Sequence, residues 1–421
     1  MATATRTVTE ACLAAQHASH ELASASTEVK DGALRRLAEL LEERAADVLD
    51  ANAADLADER VASLDAALRD RLALDRERIA AMAAGVLDIA GLPDPVGELL
   101  EERTLDSGLE LRKLRVPLGV VAVVYEARPN VTVDCAALCL KSGNAIVLRG
   151  SSYAARSNAA LATIVREAVD DANLPQGAAE LVEGGERSEL AELATQEGVV
   201  DLVIPRGGEG LKAALKKVAT VPVMYAASGN CHVYVHADAD LEMARRVAFN
   251  AKVQRPGVCN SAETLLVDVA VAESFLPGIL GDLLEAGVEL VGDAEARQAA
   301  GEVPVGEAGN EDWDTEYLGM KLVVGVVDSL DEAIEHVNRH GTGHSEAILT
   351  SSNEAAQRFT DAVDAAAVYV NASTRFTDGF EFGLGAEIGN STQKLHARGP
   401  IGLRELTTTK YVLTGTGQVR E

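Results

Sequence analysis

From residue 119 to residue 370 the chain alternates short apolar runs with longer segments of helical period, and few folds accommodate that rhythm. The run at 119–125, Gly-Val-Val-Ala-Val-Val-Tyr, is apolar throughout and rich in β-branched residues, as a strand buried on both faces must be. Further strands are expected at 145–149, 180–183, 200–204 and 221–225, with helices at 130–141, 154–172, 187–196 and 208–218. A second series places strands at 231–236, 264–268, 288–291, 321–327, 345–350 and 366–370, and helices at 240–253, 270–286, 329–338 and 353–364. Parallel strands need a crossover, and a helix is the usual one. Two consecutive series therefore predict an α/β protein with two doubly wound domains.

The flanks read differently. The first 100 residues are helical in pattern, with Leu34, Leu37, Leu41, Val48 and Leu49 on one face of a helical wheel. Gly-Leu-Pro-Asp-Pro at 91–95 ends that style. Residues 107–115 partly alternate like a strand, 301–313 form a glycine-containing acidic loop, and the tail after Leu406 is rich in Thr, Tyr and Val.

Composition excludes several function classes. A formal net charge of −28 over 421 residues repels nucleic acid and anionic lipid, so neither is an expected partner. No apolar run approaches the ~18 residues a membrane span needs. Residues 1–30 lack the basic start and greasy centre of a secretory signal. The cysteines, Cys12, Cys135, Cys139, Cys231 and Cys259, are sparse, odd in number and without a CxxC pair. A disulfide framework and a structural zinc site are not expected, and a reducing cytoplasm fits. An anionic ligand would need cations gathered locally. Arg128, Arg149, Arg206, Lys252, Arg255, Arg375, Lys394 and Arg398 all lie in glycine- or proline-marked segments.

One cysteine stands apart. Cys259 follows a Pro-Gly break and precedes a strand, in Gln-Arg-Pro-Gly-Val-Cys-Asn at 254–260. A loop presents its thiol, and Lys252 and Arg255 are placed to favour the thiolate. Thiolates attack acyl carbons and leave readily from thioesters. The plainer alternative is a small buried hydrophobe. Cys135 and Cys139, on one apolar helix, read as core, as do Cys12 and Cys231.

Longer motifs carry a resemblance over essentially the whole chain. Pro-Leu-Gly-Val-Val-Ala-Val-Val at 117–124, Asn130, and Ser-Gly-Asn-Ala-Ile-Val-Leu-Arg at 142–149 resemble the aldehyde dehydrogenase superfamily. Tyr-Glu-Ala-Arg-Pro-Asn (125–130), the cysteine motif, His-Gly-Thr-Gly-His-Ser-Glu-Ala-Ile (340–348), Asn-Ala-Ser-Thr-Arg-Phe-Thr-Asp-Gly (371–379) and the stretch 382–400 resemble one branch, the gamma-glutamyl phosphate reductases. Asn390, where an aliphatic residue is expected, and the Ser151-Ser152 variant of a turn are small departures.

The resemblance implies a fold, domains and roles. It implies an aldehyde dehydrogenase-like fold, with 1–103 and 116–230 as the dinucleotide-binding domain and 231–406 as the cysteine-bearing domain. Segments 104–115 and 407–421 would form a small β hairpin for oligomerisation, giving a dimer or tetramer. Cys259 would be the nucleophile, with Asn130 and the Cys259 backbone N–H stabilising the oxyanion. Arg149, Ser151 and Ser152 would accept the 2′-phosphate of NADP(H), Arg206, Gly207 and Gly208 its pyrophosphate, and Glu316 the nicotinamide ribose. Arg128, Arg255, His344, Arg375 and Lys394 are candidates for the substrate's charges. The glycines beside His340 and His344 argue against a helical metal pair, and no metal is expected.

Hydrolytic relatives carry a glutamate base at the position of Ala226, and no carboxylate lies between Val221 and His236. Without a base to activate water, a thioester survives for reduction. Glu263 reads as structural or cofactor-orienting. The expected reaction is NADPH-dependent reduction of an acyl phosphate, L-glutamate 5-phosphate, to the semialdehyde in proline synthesis. The chain begins with the reductase region, so a separate glutamate kinase is the expected transient partner. The alternative is a hydrolytic, NAD-linked semialdehyde dehydrogenase on the same fold.

Overall fold

The apolar run Val120–Tyr125 becomes an inner strand of a parallel sheet, with all six residues buried. Across that sheet the order is Ala179–Leu181, Ala145–Arg149, Val120–Tyr125, Leu202–Arg206. Helices Asn130–Lys141 and Ala155–Asp171 provide the crossovers at the expected places. The computed structural model describes residues 6–64, 66–183 and 186–420.

The strand expected at 221–225 is reduced to a single bridge between Val203 and Val223. Pro222 lies inside it and has no N–H to give a ladder. Of the N-terminal stripe, Leu34, Leu37, Leu41 and Val48 are buried and Leu49 partly so, but over two helices, because the chain departs from helical geometry at Arg44 between Thr27–Glu43 and Ala45–Leu56. The preceding helix, Val8–Leu22, opens with a reciprocal cap between Thr7 and Glu10.

A seven-stranded parallel sheet holds the second series. Its order is Gly306–Glu307, Glu289–Gly292, Lys321–Val327, Ala262–Asp268, Cys231–Val235, Ser345–Leu349, Ala367–Val370. Gly306–Glu307 lies in the expected acidic loop, and the short helix Ala294–Ala299, capped by Asp293, was not foreseen. The core under this sheet gathers Val233, Leu265, Val267, Phe275, Leu276, Ile279, Leu280 and Val324. A three-stranded antiparallel sheet pairs Leu99–Thr104 with Glu110–Pro117 and the latter with Thr407–Thr414.

The chain forms two compact units. One holds residues up to Tyr225, Gly383–Gly389 and the segment from Ile401; the other holds Ala226–Phe382 and Asn390–Pro400. Residues 383–389 and 401–406 join the first unit because their backbones bond within it. Ile388 N–H donates to Ile401 O at 2.8 Å, and Asn144 Nδ2 donates to Leu406 O at 2.8 Å.

Candidate active site

Among the five cysteines only Cys259 reaches the surface; Cys12, Cys135, Cys139 and Cys231 are buried. Burial pushes the Cys12 and Cys135 thiols up to about 12 and lifts those of Cys139 and Cys231 well above their ordinary value. Protonated and enclosed, these four are inert as nucleophiles.

Cys259 lies in the turn between helix Leu241–Val253 and strand Ala262–Asp268, at the amino-terminal edge of the seven-stranded sheet. Three features fix that turn. Buried Asn260 donates from Nδ2 to Thr377 O at 2.9 Å, and Thr374 Oγ1 donates to Asn260 O at 2.7 Å. Cys231 Sγ meets Cys259 O at 3.2 Å. Gly229 lies so close behind that a Cβ there would collide with the Cys259 carbonyl, so only glycine fits.

The cations divide into two kinds. Lys252, expected to favour the thiolate, is fully buried and spent on Glu263, Nζ to Oε2 at 2.6 Å. Arg255 stays exposed. Arg375 bonds Gln254 Oε1 through Nε at 2.9 Å. Burial and then the neighbouring Arg255 charge pull Arg375 down, while Asp378 and then a Cys259 thiolate favour its charged form. Arg255 and Arg375 thus bring positive charge to the cysteine turn. Lys394 and Arg398 instead share Asp364.

Three carboxylates converge near this edge, none of them next to Ala226 in sequence. Glu316 Oε1 accepts the Gly229 N–H at 2.7 Å. Glu263 Oε1 accepts the Leu318 N–H at 3.2 Å. Glu346 Oε2 accepts the His232 N–H at 2.7 Å. His232, His336 and His340 pack in sequence against one another, yet among the described residues no group of His, Cys, Asp or Glu is arranged to hold a metal.

In the first unit Asn130 opens helix Asn130–Lys141 and donates from Nδ2 to Asp134 Oδ2 at 2.8 Å. Arg128 is half-buried just before it. Arg206 ends its strand beneath Gly389, where a Cβ would strike the guanidinium. The Gly207-Gly208 turn is engaged, since Gly208 N–H donates to Glu126 Oε2 at 2.9 Å. Arg149 is mostly buried and turned to Glu186 O at 2.8 Å. Ser151 and Ser152 line a cavity of about 320 Å³, and the cation beside them is Arg156, which sequence reading did not single out. Arg156 sits one helical turn past Ser152, a spacing that was available.

The aldehyde dehydrogenase family model matches residues 1–293 and 309–412. A gamma-glutamyl phosphate reductase of Syntrophomonas wolfei is 52% identical over 406 residues, covering 96% of each chain. One from Carboxydothermus hydrogenoformans is 53% identical over 407 residues, covering 96% of this chain and 97% of that one. The crystal structure of gamma-glutamyl phosphate reductase from Thermotoga maritima superposes with a TM-score of 0.96 at 46% identity, covering 99% of this chain and all of that one. The chain belongs to the gamma-glutamyl phosphate reductase branch of the aldehyde dehydrogenase family.

Within this aldehyde dehydrogenase fold two expected residues take on a different character. Asn390 is buried, and both polar atoms of its amide lack a partner. His344, a candidate for substrate charge, is fully buried. Its Nδ1 meets Ser345 Oγ at 2.8 Å, which meets Thr377 Oγ1 at 2.5 Å, itself 2.7 Å from Tyr369 OH. That chain braces the residue whose carbonyl holds Asn260. Burial drives His344 down to about 4, so the ring is neutral at physiological pH and offers no charge to an anion. The unfolded ring, at its ordinary value near 6.5, binds a proton that the folded ring refuses. Stability carried by this site is therefore full above about pH 6.5 and is lost as pH falls toward 4. Between pH 7 and pH 5 the unfolding free energy of wild type should drop by about 2 kcal/mol relative to His344→Gln. Denaturant titrations at both values check this, and a pH-independent difference would contradict it.

Proposed function

We propose that the chain reduces L-glutamate 5-phosphate to L-glutamate 5-semialdehyde and phosphate, with NADPH as hydride donor, through a thioester on Cys259. The observation that carries this reading is that one thiol of five is accessible, in a turn fixed by Gly229, Asn260 and Cys231 and flanked by Arg255 and Arg375.

The thiolate of Cys259 attacks the acyl carbon, the carbon–oxygen bond to the phosphate breaks, and phosphate leaves. Arg255 and Arg375 offset the charge of the phosphate or the substrate carboxylate. Asn130 and the Cys259 backbone N–H stabilise the oxyanion as it forms. A bound nicotinamide supplies the hydride that reduces the thioester. Collapse of the resulting thiohemiacetal breaks the C–S bond and restores the thiolate. The position of the hydrolytic base, 226, is alanine, and the carboxylates described at this edge, Glu263, Glu316 and Glu346, accept from Lys252, the Gly229 N–H and the His232 N–H, which supports a thioester spared from water.

The cavity at Ser151 and Ser152, with Arg156 on its wall, supports NADP(H) over NAD. The three-stranded sheet leaves Leu99, Leu100, Tyr411 and Leu413 exposed, which supports a homo-oligomer built on it. A cytoplasmic setting and a glutamate kinase as transient supplier of the labile acyl phosphate complete the reading.

The test is oxidation of glutamate semialdehyde with and without phosphate, using NADP and NAD. The expected result is phosphate-dependent acyl phosphate formation, faster with NADP. Free glutamate as the main product, with no phosphate requirement, would favour the hydrolytic alternative and overturn the proposal.

A further inference from the structure

Asn130 and Asp134 are four residues apart on one helix, so their side chains share a face. The bond from Asn130 Nδ2 to Asp134 Oδ2, 2.8 Å long, has a direction. An ionised carboxylate has no proton to give, so it accepts only from the nitrogen end of a carboxamide. The carboxylate therefore dictates which way round the amide stands. One N–H is used on Asp134 and the second is left over. Turned by 180°, the same amide would offer its carbonyl oxygen and would repel a developing oxyanion.

We propose that Asp134 is a positioning residue that locks the Asn130 amide with its nitrogen forward, keeping one N–H available to the oxyanion. This rests on the reading of Asn130 as an oxyanion donor. The charged and titratable groups facing Asp134 are Arg206, from the adjacent strand end, and the Cys135 thiol, which burial keeps neutral. Burial lifts the Asp134 carboxyl to about 6, while the Asn130 bond and then the Arg206 charge pull it down. Once protonated, the carboxyl donates as well as accepts, and the turned amide is no longer disfavoured. The lock therefore holds above about pH 6 and loosens below it.

The experiment compares wild type with Asn130→Ala, Asp134→Asn and the double variant in phosphate-dependent oxidation of glutamate semialdehyde, across pH. Asparagine keeps the shape of Asp134 but has both donor and acceptor ends, so it cannot choose an orientation. Asp134→Asn should lower kcat about tenfold with little change in KM and should lack the step near pH 6 present in wild type. Asn130→Ala should lose about 10²–10³-fold in kcat. The double variant should be no worse than Asn130→Ala, because Asp134 acts through Asn130. A merely structural role would multiply the two losses instead. Should Asp134→Asn fold poorly, judged by its unfolding midpoint, Asp134→Ser carries the same cycle. Wild-type kcat in an Asp134 variant beside an impaired Asn130→Ala sinks the positioning role alone. Full activity in Asn130→Ala removes the oxyanion reading and the proposal with it.

Discussion

The Cys259→Ala protein should fold as wild type does and lose turnover by about 10⁴-fold or more, the scale on which removal of a covalent nucleophile is felt. Cys259 is half-exposed in a turn held by its neighbours' backbone and by Asn260, so truncating its thiol removes little packing. The remaining four thiols are buried and protonated, and none can take over. Steady-state cofactor absorbance and a thermal unfolding curve on the same preparation settle the matter. Retention of more than a few per cent of activity would end the thioester mechanism; a large drop in the unfolding midpoint would show that the side chain is part of the core.

The second large effect concerns stability. Glu263→Leu should cost about 3–5 kcal/mol, because it strands the ammonium of Lys252 in the interior. Both side chains of this pair are fully buried, and the 2.6 Å contact is between an Nζ and an Oε2 that have left water completely. Burial pushes Glu263 up to about 7 and pulls Lys252 down. Pairing offsets both costs. If that is the balance, Lys252→Met combined with Glu263→Leu should recover most of the loss, since an apolar pair of similar volume carries no desolvation penalty. Denaturant midpoints of the two singles and the double form the cycle. A Glu263→Leu protein as stable as wild type would show that water reaches the pair.

Much of this architecture was legible because strands buried on both faces have no polar face to maintain. The helix expected at 130–141 and the strand at 321–327 occur with those bounds, as Asn130–Lys141 and Lys321–Val327. The failures have local causes. Pro222 cannot donate to a ladder, so 221–225 makes one bridge. The helix Ala294–Ala299 is only six residues long, too short for a period, and its signal was the cap from Asp293. At the candidate site, Cys259 stood out because a Pro-Gly break precedes it and a strand follows it in sequence. Its supports could not, because they come from afar: Thr374 and Thr377 hold Asn260 across more than 110 residues, and Glu316 reaches Gly229 across 87. Lys252, expected beside the thiolate, instead meets Glu263 only 11 residues on, because the helix and the strand after it bring both side chains together in the interior.

Sealing Cys12, Cys135, Cys139 and Cys231 inside the two units has a practical corollary. Towards any bulky electrophile in solution the folded molecule behaves as a monothiol, so a limiting alkylating reagent would count competent centres one per polypeptide. Unfolded chains betray themselves by consuming five equivalents.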